Sequence, residues 1–572
     1  MRHWRNVVRT IAAGMMISAA LAAPLRAQDA RRRKKLIATG WDRVNSERLL
    51  ANHVAMQKRP FDGVVVAIEG HVDEKKRCPL WWAHLETPWK RSWFTPCVRN
   101  LRACKFTRFT DNFVQIGANP GRVDWFDEAG FREIVDHWRI AAWVAKAGGF
   151  KGLVFDPEPY ARPHAQFHYA AQEGREKHTF DEYRVQARRR GREVMRAIVA
   201  EFPDVTILCY FMNSVVARAA GRPRPGVALE PMSYGLLPAF FDGWLDEAPP
   251  GVTLVDGCES AYRYNATTQY LEAAVTIKGV CQELVSPANR AKYRAQVQVG
   301  YGVYLDAYWN PKDSEWSAWY VDGLGAPRVD RLRINTATAL RVADEYIWIY
   351  GEKFRWWPTP SKRVRPQPWP EALVGCERAL AYARDPLAAA RAQIAARAKA
   401  GPDAPLLRNG DFGSEKLRLP DGRVQTFRDG RPPVGWSGWQ AKDSKGTFAW
   451  DRRTGAAGAG SARASGVANG CFLQHHPARA GERYAVRAVR KLRGAGRAWL
   501  RVRWQTADGA WTAEQLDRVF HADAPAGAWG EIFGVVEVPE SAGQIVLLLG
   551  VGDQAGEKDI AWFDDVTLWR LN

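Results

Sequence analysis

Eight short apolar runs, each followed by a longer stretch of helical character, most constrain how this chain can fold. They occupy residues 35–41, 61–70, 113–117, 152–155, 205–211, 251–256, 297–308 and 346–350. Runs of this length, bounded by turn residues, read as buried strands. The clearest helical periods between them are 136–147, 182–202 and 331–344. Eight strands with seven crossovers predict an α/β chain in the form of a (β/α)8 TIM barrel over residues 35–360. A doubly wound sheet also alternates strand and helix, and the count of eight separates the two.

A chain of 572 residues exceeds one hydrophobic core. Residues 356–370 are rich in Pro, Arg and Lys and read as a connector. Residues 370–398 are Ala- and Arg-rich, with Leu373, Leu380 and Leu387 as an apolar stripe, and predict an extra helix packed on the barrel. A helical spacer leading to Gly401 and Pro402 is the alternative. From Leu406 the pattern changes to short alternating runs at 484–489, 498–505, 530–538, 544–549 and 560–568, read as antiparallel strands of a β-sandwich. The expected division is a signal peptide at 1–27, a barrel at 35–360, a connector with helix at 361–404 and a sandwich at 405–572.

Arg2, Arg5 and Arg9 precede an apolar stretch from Ile11 to Leu21, and Ala23 and Ala27 offer a cleavage site, the pattern of a secretory signal. The run is short for a bilayer span. The expectation is a secreted or periplasmic, soluble, monomeric chain beginning near Gln28, with no stable membrane insertion. Export permits disulfides, and Cys78, Cys97 and Cys104 crowd one Trp-rich insertion where a staple is expected. No close Cys-x-x-Cys pair marks a zinc site.

Asp156 and Glu158 stand just beyond the fourth run, where a barrel presents its reactive groups. Paired carboxylates suit glycoside hydrolysis, in which one acid keeps its proton for the leaving oxygen and the other stays ionised. Glu158 is read as the proton donor, and Glu352, Glu259 and Asp306 compete as its partner. Tyr210, Tyr304, Trp309, Trp348, Trp356, Trp81 and His71 are candidate sugar contacts. The segment 79–94, with Trp81, Trp82, His84, Trp89 and Trp93, is expected to be partly a cleft wall and partly a small core of its own.

Three separated signatures, 407–412 with Arg-Asn-Gly-Asp-Phe, Gly435-Trp436 and Trp562-Phe563-Asp564-Asp565-Val566, resemble carbohydrate-binding jelly-roll modules found beside polysaccharide-active domains. That resemblance implies sugar stacking by Trp436, Trp439 or Trp450, and a structural calcium ion at Asp411 and Asp565. Glu158-Pro159 after the fourth strand is similar to the Asn-Glu-Pro acid/base position of a large clan of barrel glycosidases. Here Pro157 stands where the asparagine would be, and the seventh strand offers Asp306 in place of a glutamate. Asp156-Pro157-Glu158 also has the spacing of the chitinase-like barrels, where the aspartate orients an N-acetyl group. Gly152, Leu153 and Val154 depart from the longer acidic motif of those families.

The net charge of +20, from 82 Lys and Arg against 62 Asp and Glu, favours an anionic or sulfated polysaccharide. No nucleic-acid-binding motif accompanies it, and no phosphate-binding loop has a fitting context. The expectation is therefore an endo-acting glycosidase whose partner is a polysaccharide, with no cofactor for catalysis. A noncatalytic glycan-binding or cell-surface protein on a barrel scaffold is the rival reading.

Overall fold

The computed structural model describes residues 34–571 except 314, 316, 360, 401–404, 419–420 and 459. The predicted signal peptide lies outside the described residues. Two compact units succeed one another, with the boundary in sequence between Arg384 and Asp385.

The first unit is built on one parallel sheet. Its order runs from Tyr301–Tyr304 through Tyr346–Gly351, Lys35–Gly40, Gly63–Val66, Phe113–Gly117, Gly152–Asp156, Thr206–Cys209 and Thr253–Asp256 to Val297–Val299. The two ends of that order are one run of chain broken at Gly300, so the sheet returns on itself as a near-closed barrel resembling a TIM-barrel core. Gly300 is required at the break. A Cβ there would lie 2.8 Å from Val255 Cγ1 and 3.1 Å from the Tyr346 carbonyl oxygen. Burial on both faces accounts for the near-continuous apolar character of the strands.

The covering helices start where side chains cap them. Asp127 accepts the N–H groups of Ala129 and Gly130 ahead of Glu128–Ala147. Thr179 and Glu182 form a reciprocal capping box for Phe180–Glu201. Both helices begin before the first residue of clear periodicity.

The second apolar run does not continue as one strand. It leaves the barrel after Val66, and Glu69–His71 pairs antiparallel with Arg77–Pro79. In the Trp-rich insertion Trp89 is buried and stacks on His137 with ring centres 3.8 Å apart, Trp81 is half-buried and Trp82 is exposed. The expected cysteine staple is absent. Cys78, Cys97 and Cys104 are free and buried, the Cys97 thiol donating to the Glu69 carbonyl at 3.3 Å and that of Cys104 to Asn100 at 3.4 Å. These thiols act as small apolar side chains.

The helix expected over 370–398 is divided. Cys376–Arg384 closes the first unit, with Leu380 buried and Arg384 Nε donating at 2.8 Å to Asp62, which also accepts the Leu36 N–H at 3.0 Å. Pro386 cannot continue that ladder, and it opens a new helix, Pro386–Ala400, in the second unit. Asp385 caps it by accepting the Ala388 N–H at 3.0 Å. Leu387 is exposed, so the predicted three-leucine stripe does not form one face.

The second unit contains two five-stranded antiparallel sheets, reminiscent of jelly-roll modules. One has the order Ser437–Gln440, Asn469–Pro477, Gln544–Gly552, Arg497–Gln505, Arg518–Phe520. The other runs Thr447–Asp451, Ser461–Ser465, Ile560–Leu571, Arg483–Arg493, Gly530–Glu537. Alternation is clean in Arg497–Gln505, where Ala498, Leu500, Val502 and Trp504 point into the core. Among the described residues no helix is long and apolar enough to cross a membrane.

Candidate active site

Parallel strands deliver their C-terminal ends to one face, and four acids stand there. Asp156 is the last residue of Gly152–Asp156, and Glu158 follows by two. Glu259 begins the short turn Glu259–Arg263 after the sixth strand, and Glu352 follows the eighth directly. They share one bowl, close enough to act on each other's ionisation. Burial is the main cause that raises Glu259 to about 9, and the charges of Glu158, Asp156 and Glu352 add to it. Asp156 rises to about 7, through burial first and then the charge of Glu158. Burial also raises Glu158 and Glu352, opposed by the hydroxyls of Tyr160 and Tyr304 respectively.

Asp306 does not join them as a free acid. It is fully buried, and its carboxylate accepts the N–H groups of Glu352 and Lys353, so its expected place among the reacting carboxylates becomes one of holding the loop that carries Glu352. Asp156 accepts the Glu158 N–H at 3.1 Å. Asn119, which the apolar pattern had no means to signal, braces the same loop from the third strand's end. Its amide donates to the Glu158 carbonyl at 2.9 Å and its oxygen accepts the N–H groups of Tyr160 at 2.8 Å and Ala161 at 3.3 Å. The Tyr160 hydroxyl closes a short hydrogen bond on Glu158 Oε2 while its ring remains exposed.

The aromatic candidates divide by burial. Tyr210 stacks on Trp348 with centres 4.3 Å apart, and Tyr262 stacks on Tyr304 at 4.9 Å and meets Trp348 at 5.1 Å. These rings, with Tyr350, form the floor beneath the glutamates. Trp348 is fully buried and its indole donates to the Gly257 carbonyl at 2.8 Å, so it supports the floor from below and does not wall a sugar subsite. Trp356 is likewise withdrawn, packed on Phe61 with centres 5.0 Å apart. Trp309 is half-buried against Phe354, under Lys353 and Arg365. His71 is engaged by Glu47, at 2.8 Å. With Cys97 these two form a group whose ligand-type atoms lie within 4.8 Å of one another. Trp81 is half-buried, with Arg43 and Arg363 over its ring. Tyr160, Asn119, Tyr350 and Arg43 are further site-lining residues; for Arg43, Asn119 and Tyr160 a polar residue just past a strand end was the available signal, whereas Tyr350 lies within its strand.

In the second unit Trp436 is a core residue, packed on Phe412 with its indole donating to the Asn409 carbonyl at 3.1 Å, and no face of it is free for a sugar. Trp450 is half-buried between Phe427 and Arg452. Trp439 is 54% exposed on Ser437–Gln440. The Val566 N–H donates to the Gly410 carbonyl at 2.8 Å, which sets Asp411 beside Asp564 and Asp565.

No protein-family model matches the chain, and no curated protein matches it. Solved structures similar to part of it include the enzymatically active domain of tailspike protein 4 of Bacteriophage CBA120, at 15% identity over 29% of this chain and 21% of that one, with a TM-score of 0.21. The CBM22-1–GH10 modules of the Clostridium thermocellum xylanase 10B, complexed with xylohexaose, match at 20% identity over 24% of this chain and 26% of that one, with a TM-score of 0.20. TmCBM61 in complex with β-1,4-galactotriose matches at 13% identity over 30% of this chain and all of that one, with a TM-score of 0.20. The chain thus spans about a quarter or less of the first two structures.

Proposed function

We propose that this chain is a glycoside hydrolase acting within a polysaccharide chain, with Glu158, Glu259 and Glu352 as its reacting set. The observation that carries the reading is the convergence of three glutamates from the ends of the fourth, sixth and eighth strands above an aromatic floor. Burial raises all three, and hydroxyls oppose the rise at Glu158 and Glu352 but not at Glu259, an asymmetry of the kind that lets two carboxyls take opposite roles. Glu259, raised to about 9, keeps its proton at neutral pH and gives it to the leaving glycosidic oxygen. Glu158, whose ionised form the Tyr160 hydroxyl stabilises, acts as nucleophile or as base toward water. The sequence pattern alone favoured Glu158 for the proton; the local electrostatics favour Glu259. The basic net charge supports an acidic or sulfated substrate.

Reducing-end release by the mature chain across neutral and anionic polysaccharides tests this, with Glu158→Gln, Glu259→Gln and Glu352→Gln beside it. Release by the unmodified chain that falls about 10²–10⁴-fold in the Glu158 and Glu259 variants is the expected result. Binding without release from any glycan would favour the scaffold reading instead.

The proposal includes sugar binding by the second unit through Trp439, and a structural calcium ion there. Asp411 and Asp565 supply hard oxygen donors of the kind calcium takes. Chelation that lowers the melting temperature of the intact chain, with recovery on adding Ca²⁺ alone, is expected; an unchanged melt would remove the ion from the proposal.

A further inference from the structure

Arg43 and Arg363 come from opposite ends of the first unit, yet both guanidinium groups address one indole. Their Cζ atoms lie 6.0 and 5.4 Å from the centre of the Trp81 ring. The two cations repel. Arg363 is held below the usual guanidinium range by burial first and by Arg43 next, with Glu69 opposing. Neither arginine takes part in an ion pair described for the first unit's acids. Arg43 Nη1 donates to the neutral Gln115 side chain at 2.6 Å, and its buried Nε has no acceptor. Like charges gathered on an aromatic platform, with a buried donor unused, make an arrangement that an arriving anion would relieve.

The pair belongs to the rim of the glutamate bowl. Arg43 is near enough to Asp156 to pull its proton affinity down, and near enough to Tyr210 and Tyr350 to act on theirs. Acids that retain protons near neutrality present less negative charge to an incoming anion than four ionised carboxylates would.

We propose that Arg43, Arg363 and Trp81 form a subsite for an anionic substituent of the sugar chain, a uronate carboxylate or a sulfate ester, positioned while the neighbouring glycosidic bond lies over the glutamates. The proposal rests on the hydrolase reading of the same bowl and specifies its substrate. A guanidinium fork matches the paired oxygens of either group, and the indole face meets the C–H face of the pyranose. A neutral sugar leaves both cations desolvated and unpaired, so the site discriminates against it as well as for the anion.

Binding, not turnover, provides the test. Calorimetry on the full-length Glu158→Gln chain would compare polygalacturonate with its methyl ester, and a sulfated galactan with the same galactan desulfated, each with and without Arg363→Gln. The expected result is that the charged member of one pair binds about tenfold or more tightly than its neutral counterpart, and that Arg363→Gln removes this preference while leaving the neutral affinity in place. The pair that responds identifies carboxylate or sulfate. Arg363→Lys keeps the charge without the fork and should recover only part of the preference. Equal loss on charged and neutral glycans, no effect of the substitution, or no binding to any of the four overturns the subsite. Release of charged glycans that Arg363→Gln leaves unaffected would sink the subsite and leave the hydrolase standing. Anion-selective binding by a chain that releases no reducing ends would do the reverse.

Discussion

Asp306 accepts the backbone N–H groups of Glu352 at 2.8 Å and of Lys353 at 3.2 Å, so a buried carboxylate at the end of the seventh strand sets the position of the acid that follows the eighth. Asp306→Asn places an amide N–H against one of those donors. The change should cost about 1–3 kcal/mol of stability and lower activity by displacing Glu352. Chemical denaturation and turnover, measured together, check it; an unchanged turnover would separate Asp306 from the site.

Asp156 and Asp306 should favour the folded chain as pH falls from 8 toward 6.5, above the range in which the buried neutral His84 and His137 begin to oppose them. Burial raises Asp156 and Asp306 from an ordinary 3.8 to about 7. Between those values the folded state holds protons that the unfolded chain has released, so their contribution is full below about pH 4 and is lost as pH rises through 7. Melting temperatures recorded from pH 6.5 to pH 8 should fall with rising pH, and Asp156→Asn should flatten the slope. A rise in place of a fall would refute the assignment.

Tyr160→Phe removes the hydroxyl that favours ionised Glu158 while keeping an exposed ring. The limb of the pH–rate profile that reports Glu158 should move to higher pH, with little change in melting temperature. A profile that does not move would mean that the hydroxyl does not govern Glu158.

Asn119→Ala takes three hydrogen bonds from the loop that carries Glu158. Loss of about 1–3 kcal/mol is expected from the backbone groups left unpaired, together with a lower kcat. Intact activity at full stability would show that the loop holds its shape without this brace.

Trp436 and Trp439, three residues apart, should behave as opposites. Trp436→Ala opens a cavity in the sandwich core and should cost about 3–5 kcal/mol. Trp439→Ala leaves the fold intact and should weaken binding to insoluble polysaccharide in a pull-down of the full chain. Equal effects of the two substitutions on folding would remove the distinction drawn from burial.

The local pattern was sufficient for the elements whose physics is local. Strands buried on both faces read as apolar runs, and all eight barrel strands begin within two residues of the expected place. The second broke early because Glu69 and His71 pair with a hairpin partner, a contact across a turn that periodicity does not encode. In the sandwich the strands with strong alternation were legible, whereas Ser437–Gln440 and Ser461–Ser465, short and poor in large apolar side chains, were not.

Which chemistry-bearing residues stood at strand ends was already determined by the sequence, because a parallel barrel sends every strand end to one face. Tertiary structure alone decided their roles. Asp306, Glu259 and Glu352 are all acids after strands in the linear chain. Only the folded environment buries Asp306 under two backbone donors, leaves Glu259 among like charges with its proton retained, and gives Glu352 a tyrosine hydroxyl. The same holds for Trp348 and Trp356, drawn into the core, and for Arg43 and Arg363, which meet over Trp81. Proton affinity and exposure depend on neighbours distant in sequence, and those neighbours are chosen by packing.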